Sequence, residues 1–396
     1  MKITWIGISE LLLAAYAGAS APAIASDGSF VPGLYRDQTG HSIYAAIDIE
    51  DEGPVINYLD PRTRRFGIVT VPGKWHLLKR VNEKRLTVEA PEGRLGVSLY
   101  YADTRKRPAI VLIHGNEDQT RDMGFLIPLF VLNGVNVISY DQRGNGESVG
   151  SWKEDGPVER AVDVAAIYDA FATNPLVDEK RIGLWAFSNG GWTAPIVALR
   201  RPTAFMILVG APAETIADNI CFEDRQRMQH DGFGEGAIAD AVEAGRALME
   251  ATAGTGSWER AEKLYDAAVS QKWFADSGLP PNLKFPLPQE RIDISRRRAI
   301  YDPAPTLERV TTPTLALFGA LDRSVDSSHA AATFREDFAK AGMRDFTLRV
   351  YESAGHSLVM SKTGFEDQPT LPLRYAPGYP QIMIEWLRQR NFLTPR

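Results

Sequence analysis

The chain has 396 residues, 44% hydrophobic and 24% charged, which excludes a disordered protein and allows a large core in two or three domains. Its formal net charge of -6 argues against a nucleic-acid partner, whose recognition leans on basic patches. The single cysteine, Cys221, excludes an internal disulfide or a multi-cysteine metal cluster, and without a neighbouring histidine and acid it reads as structural.

Residues 1–25 read as a signal peptide. Lys2 precedes the apolar run LLLAAYAG, and Ala23-Ile24-Ala25 forms a small-x-small site before Ser26. This predicts a periplasmic or secreted protein; Glu10 interrupts the run, and the alternative is an N-terminal helix on a cytoplasmic chain. No later stretch is apolar for long enough to span a bilayer. Residues 27–105 form a β-rich region of short alternating runs, such as HSIYAAIDI and KRLTVEAPEG, whose last strands are candidates to join the sheet that follows. Its histidines, His41 and His76, show no metal-ligand spacing.

From residue 106 the pattern changes. PAIVLIHG, GVNVISYDQRG, KRIGLWAFS, AFMILVGAP, TPTLALFGALD and FTLRVYESAGH are apolar runs suited to strands buried on both faces. Helical segments such as VERAVDVAAIYDAFATN and GWTAPIVALRR lie between them. The alternation predicts an α/β fold with a mostly parallel sheet over 106–213 and 306–396. Residues 214–305 lack strand signals and read as a helical cap insertion, whose aromatics Trp258, Tyr265, Trp273 and Phe274, at helical spacing, are expected in a core, the alternative being the lining of an acyl pocket.

The stretch WAFSNGGW places Ser188 directly after an apolar strand and before a helix. A turn this sharp needs small neighbours, here Ala186, Gly190 and Gly191. A serine hydroxyl becomes a nucleophile only when a histidine takes its proton and an acid orients that histidine. Asp322 in FGALDRSVD and His356 in YESAGHSL follow later strands, so Ser188, Asp322 and His356 all fall at strand C-terminal ends. Asp326 is the rival acid, expected at a helix cap; His329 and His230 are the rival histidines, with His329 expected on a helix. Backbone N–H groups of Asn116, in the loop IHGNED, and of Asn189 are the candidate oxyanion hole. His114, Asp141 and Arg143 are expected to shape loops.

With HGNED, YDQRGNGES, AFSNGGW, LFGALDRSV and AGHSL in this order, the chain from about Pro108 onward resembles the α/β-hydrolase superfamily. It is similar to its bacterial serine-esterase and dienelactone-hydrolase-like members with a helical cap. The resemblance implies a hydrolase fold and cleavage of a small-molecule ester through an acyl-enzyme, with no metal or organic cofactor. SNGGW also resembles the turn of prolyl-oligopeptidase-like peptidases, but their β-propeller needs far more chain than 27–105 supplies. A non-catalytic binding protein on the same scaffold is the reading from a different class.

Overall fold

The computed structural model describes residues 32–50, 53–62, 66–68, 75–365, 370 and 373–393. The expected signal peptide lies outside them.

Strands β1 (Gly33–Asp37), β2 (Ser42–Glu50), β3 (Gly53–Leu59), β4 (Phe66–Ile68) and β5 (Trp75–Arg80) pair in an antiparallel sheet of order β4-β3-β2-β1-β5. The next strands of the β-rich region leave it. β6 (Asn82–Ala90) and β7 (Gly93–Tyr101) form an antiparallel hairpin at the edge of a second sheet. That eight-stranded sheet has the order β13-β12-β11-β10-β8-β9-β7-β6. It is built from β8 (Arg107–Ile113), β9 (Asn136–Tyr140), β10 (Val177–Phe187), β11 (Met206–Val209), β12 (Thr314–Gly319) and β13 (Phe346–Tyr351). β8 to β13 pair in parallel, while β7 meets β9 antiparallel.

Coverage on both faces explains why these strands read as unbroken apolar runs. Successive residues of a strand point to opposite faces. In β8, Ala109, Val111 and Ile113 enter one core and Ile110 and Leu112 the other. In β11, Met206 and Leu208 oppose Ile207 and Val209 in the same way. One face is covered by α2 (Pro157–Ala172), α3 (Gly190–Arg200) and α9 (Ser327–Lys340). The other carries α1 (Leu126–Val131) and α10 (Gln381–Gln389), joined by Leu59 and Val81 from the small sheet and the residue after it. Among the described residues no helix is long and apolar enough to cross a membrane.

Between β11 and β12 run α4 (Ile216–His230), α5 (Glu235–Ala253), α6 (Trp258–Val269), α7 (Gln289–Ala299) and the short α8 (Ala304–Leu307). They bury a core of their own around Met228, Ile238, Ala241, Ala244, Ala268, Trp273 and Leu279. The helical pattern expected to run on through Trp273 and Phe274 stops at Val269, with Ser270 as its cap. Trp273 reaches the core from the irregular segment beyond. Tyr265 is buried as expected: its hydroxyl donates to Pro280 O at 2.8 Å and accepts from Leu283 N at 3.0 Å, tying that segment down.

Truncating Leu184, fully buried at the centre of β10, is expected to cost about 2–5 kcal/mol through lost burial and a residual cavity. Val158→Ala, on the exposed face of α2, is expected to stay within about 0.5 kcal/mol. Urea unfolding midpoints of the two variants against the parent check the contrast.

Candidate active site

Ser188 ends β10 in a left-handed conformation, φ 51°, which costs a residue with a Cβ about 1–2 kcal/mol. The surroundings enforce it. On one side Ser188 N donates to Val209 O at 3.0 Å, continuing the ladder with β11; on the other Gly191 N donates to Ser188 O at 2.7 Å as α3 begins. α3 then packs too close for side chains. A Cβ on Gly190 would lie 2.7 Å from His114 O, and one on Gly191 would lie 2.3 Å from Ala211 Cβ. This is the steric reason for the small residues read in the sequence around Ser188.

Asp322 and His356 meet across the loops after β12 and β13. Asp322 Oδ2 accepts from His356 Nδ1 at 2.8 Å, while Oδ1 accepts the N–H groups of Ser324 at 2.8 Å and Val325 at 2.9 Å. The carboxylate side chain is 0% exposed, so its orientation is fixed by these three donors. A carboxylate only accepts, so the Nδ1 tautomer follows from this network, leaving Nε2 as the basic nitrogen. Asp326 instead caps α9, accepting from Ser328 N and His329 N, and His329 rides on that helix. His230 stacks on Phe365 with ring centroids 4.0 Å apart.

The imidazole of His356 lies at the same rim as Ser188. Its ring centroid is 4.9 Å from that of Phe187, the residue before Ser188. A Cβ on Gly210, at the end of β11, would sit 3.1 Å from His356 Nδ1 and Cε1.

The loop after β8 comes up against the serine: a Cβ on Gly115 would lie 3.3 Å from Ser188 Cβ. Among the described residues the N–H groups of Asn116 and Asn189 donate to no protein acceptor. Asn189 caps the N-terminus of α3, at its positive end. His114 is buried beneath the loop, its ring nitrogens bonding Tyr140 O at 2.6 Å and Gln119 Oε1 at 2.9 Å, and burial lowers its pKa. Asp141 accepts from Arg121 N and Glu147 N, both at 2.8 Å, and Arg143 Nε donates to Asp163 at 2.7 Å, so these residues hold loops together.

Two residues near the site escaped the sequence reading. Arg160, on α2, donates from Nη1 to Gly115 O at 3.0 Å and from Nη2 to Asn116 Oδ1 at 3.3 Å, bracing the loop. Glu223, on α4, has its carboxyl pushed up by burial, with His356 opposing the shift and the charge of Asp322 adding to it. Neither belongs to a local motif; each looks like an ordinary helix charge until the chain is folded.

Residues 110–368 match the alpha/beta hydrolase family. Thiohydrolase apmlB of Arthrinium phaeospermum is 30% identical over 115 residues, 28% of this chain and 38% of that protein. Thiohydrolase aneE of Aspergillus aculeatus is 31% identical over 98 residues, 24% of this chain and 30% of that protein. The chain thus aligns with 38% and 30% of the length of these curated relatives. Among solved structures, Pyrococcus horikoshii acylaminoacyl peptidase shares the fold with a TM-score of 0.52 at 14% identity, over 92% of this chain and 50% of that one. The family match covers more than half of the chain and falls on the sheet and loops described above: this protein belongs to the alpha/beta hydrolase family.

Proposed function

We propose that this chain is a serine hydrolase that cleaves carboxylic esters through an acyl-enzyme. Ser188 attacks the carbonyl carbon as His356 Nε2 takes its proton. Asp322 holds the imidazole and stabilises the imidazolium. The N–H groups of Asn116 and Asn189 receive the oxyanion, and each such donor is worth about 3–4 kcal/mol in the transition state. His356 then protonates the leaving alcohol. Water, activated by the same imidazole, releases the acid and restores the serine.

The observation that carries this reading is the Asp322 Oδ2 to His356 Nδ1 hydrogen bond of 2.8 Å on the rim where Ser188 stands in left-handed backbone. A buried carboxylate on Nδ1 fixes the ring and its tautomer. It also stabilises the cation that a general base must become. The helices between β11 and β12 act as a cap over this rim, and Trp192 Nε1, donating to Glu214 O at 3.0 Å, links their first residues to the helix that follows the nucleophile. The thiohydrolase names of the aligned fungal proteins make thioesters a second acyl class worth including beside oxygen esters.

A fluorophosphonate probe is expected to label the folded protein once per chain, and Ser188→Ala to abolish labelling. Folded protein that resists the probe would instead favour a binding module. Asp322→Asn is expected to lower kcat about 10⁴-fold, because an amide at this position favours the wrong tautomer. Rates on p-nitrophenyl esters, thioesters and aminoacyl amides then separate the acyl classes; turnover of the amides at rates matching the esters would favour the peptidase reading.

A further inference from the structure

One face of α4 lies over the loop that carries Asp322. Asn219 Nδ2 donates to Ser324 O at 2.8 Å, and Gln226 Oε1 accepts from Arg323 Nη1 at 2.9 Å. Helical periodicity places Glu223 on this same face, one turn after Asn219 and just under one turn before Gln226. Two docking contacts thus flank Glu223 on the face of α4 that meets the loop carrying Asp322.

The carboxyl of Glu223 is half-buried there. Among the described residues it accepts no hydrogen bond and forms no ion pair. Arg227, one turn on, is committed elsewhere: Nη2 donates to Asp224 Oδ1 at 2.5 Å and Nε to Asp276 O at 3.1 Å. Asp322 has its own oxygens filled by His356, Ser324 and Val325. The groups acting on Glu223 are Asp224 and Arg227 from its own helix, Asp322 from the loop after β12 and His356 from the loop after β13. Loss of water, with the negative charges of Asp224 and Asp322, outweighs the opposing pull of His356 and Arg227 and pushes its pKa up to about 7.

We infer that Glu223 is a specificity-determining residue of the Ser188 site, selecting substrates that carry a positive charge close to the scissile carbonyl. The inference rests on the hydrolase reading above. A carboxylate that has lost much of its water and forms no ion pair gains from a ligand that supplies a cation at contact distance. Here the position without a partner faces the residues that would process the ligand. A neutral substrate leaves the group protonated or ionised and unpaired.

The test compares two p-nitrophenyl esters of the same shape, one with an acyl chain ending in trimethylammonium and the other in tert-butyl. The readout is the ratio of kcat/KM, cationic over neutral, in which effects common to both substrates cancel. In the parent protein the ratio is expected to exceed one at about pH 8 and to fall towards one at about pH 6, because the fixed ammonium meets an ionised carboxyl only above the titration of Glu223. Glu223→Gln is expected to lower the ratio about tenfold at the higher pH and to remove its pH dependence. A pH-independent ratio in the parent, or equal losses on both substrates in the variant, would overturn the inference, and the parent measurement stands even if the variant fails to fold. Fluorophosphonate labelling of Ser188 runs alongside. Labelling with a flat ratio overturns the role of Glu223 alone, whereas no labelling overturns the hydrolase reading and this inference with it.

Discussion

The left-handed turn at Ser188 is the constraint on which the rest of the site depends. A strand of the central sheet must end at Phe187, and a helix must begin at Gly190, with two residues between them. The chain manages this only because Gly190 and Gly191 let α3 press against His114 O and Ala211. The conformational cost at Ser188 is about 1–2 kcal/mol, small beside the burial of β10, where Ile182, Leu184 and Ala186 are fully enclosed. The sheet thus holds a strained residue in place, and the strain projects a hydroxyl at the strand's C-terminal rim.

The other loops are held at this rim by polar contacts. Asp322 is fixed by two backbone N–H groups before it touches His356, so its remaining oxygen has one orientation to offer. The loop after β8 is supported from below by buried His114 and from the side by Arg160. Farther out, the buried pairs of Arg121 with Asp141 and Arg143 with Asp163 brace the turn after β9. Buried ion pairs of this kind add little net stability against an apolar replacement, but removing one partner strands the other charge. Their value here is in fixing loop geometry at the end of the sheet.

Much of this was legible in the sequence because the central strands are covered on both faces. Double burial leaves unbroken apolar runs, and the polar residues that follow them, Ser188 directly and Asp322 and His356 a few residues on, stand out beyond the strand ends. The assignment of Asp326 to a helix cap was legible for a local reason as well: an acid followed by SSHAAATF reads as a helix start. Long-range packing was legible only in part. That the last strands of the β-rich region join the large sheet was legible as a candidate, and β6 and β7 do so; nothing local in KRLTVEAPEG says that β6 forms its edge. Arg160 and Glu223 are single charges on helices, and their meaning comes from which loop each helix face meets, a matter of tertiary contact with no imprint on spacing. The helix expected to reach Phe274 ended at Val269 because burial of Trp273 and the Tyr265 contacts favour an irregular path there.

The central claim is that one rim of the sheet assembles nucleophile, base, acid and oxyanion donors around a single reacting atom. A crystal structure of the phosphonylated protein tests it most directly. The account expects phosphorus on Ser188 Oγ, the phosphoryl oxygen about 2.7–3.1 Å from the backbone nitrogens of Asn116 and Asn189, and His356 Nε2 within hydrogen-bond reach of the adduct, with Asp322 still on Nδ1. An adduct on another residue, or one on Ser188 with the phosphoryl oxygen turned away from both nitrogens and His356 out of reach, would contradict it.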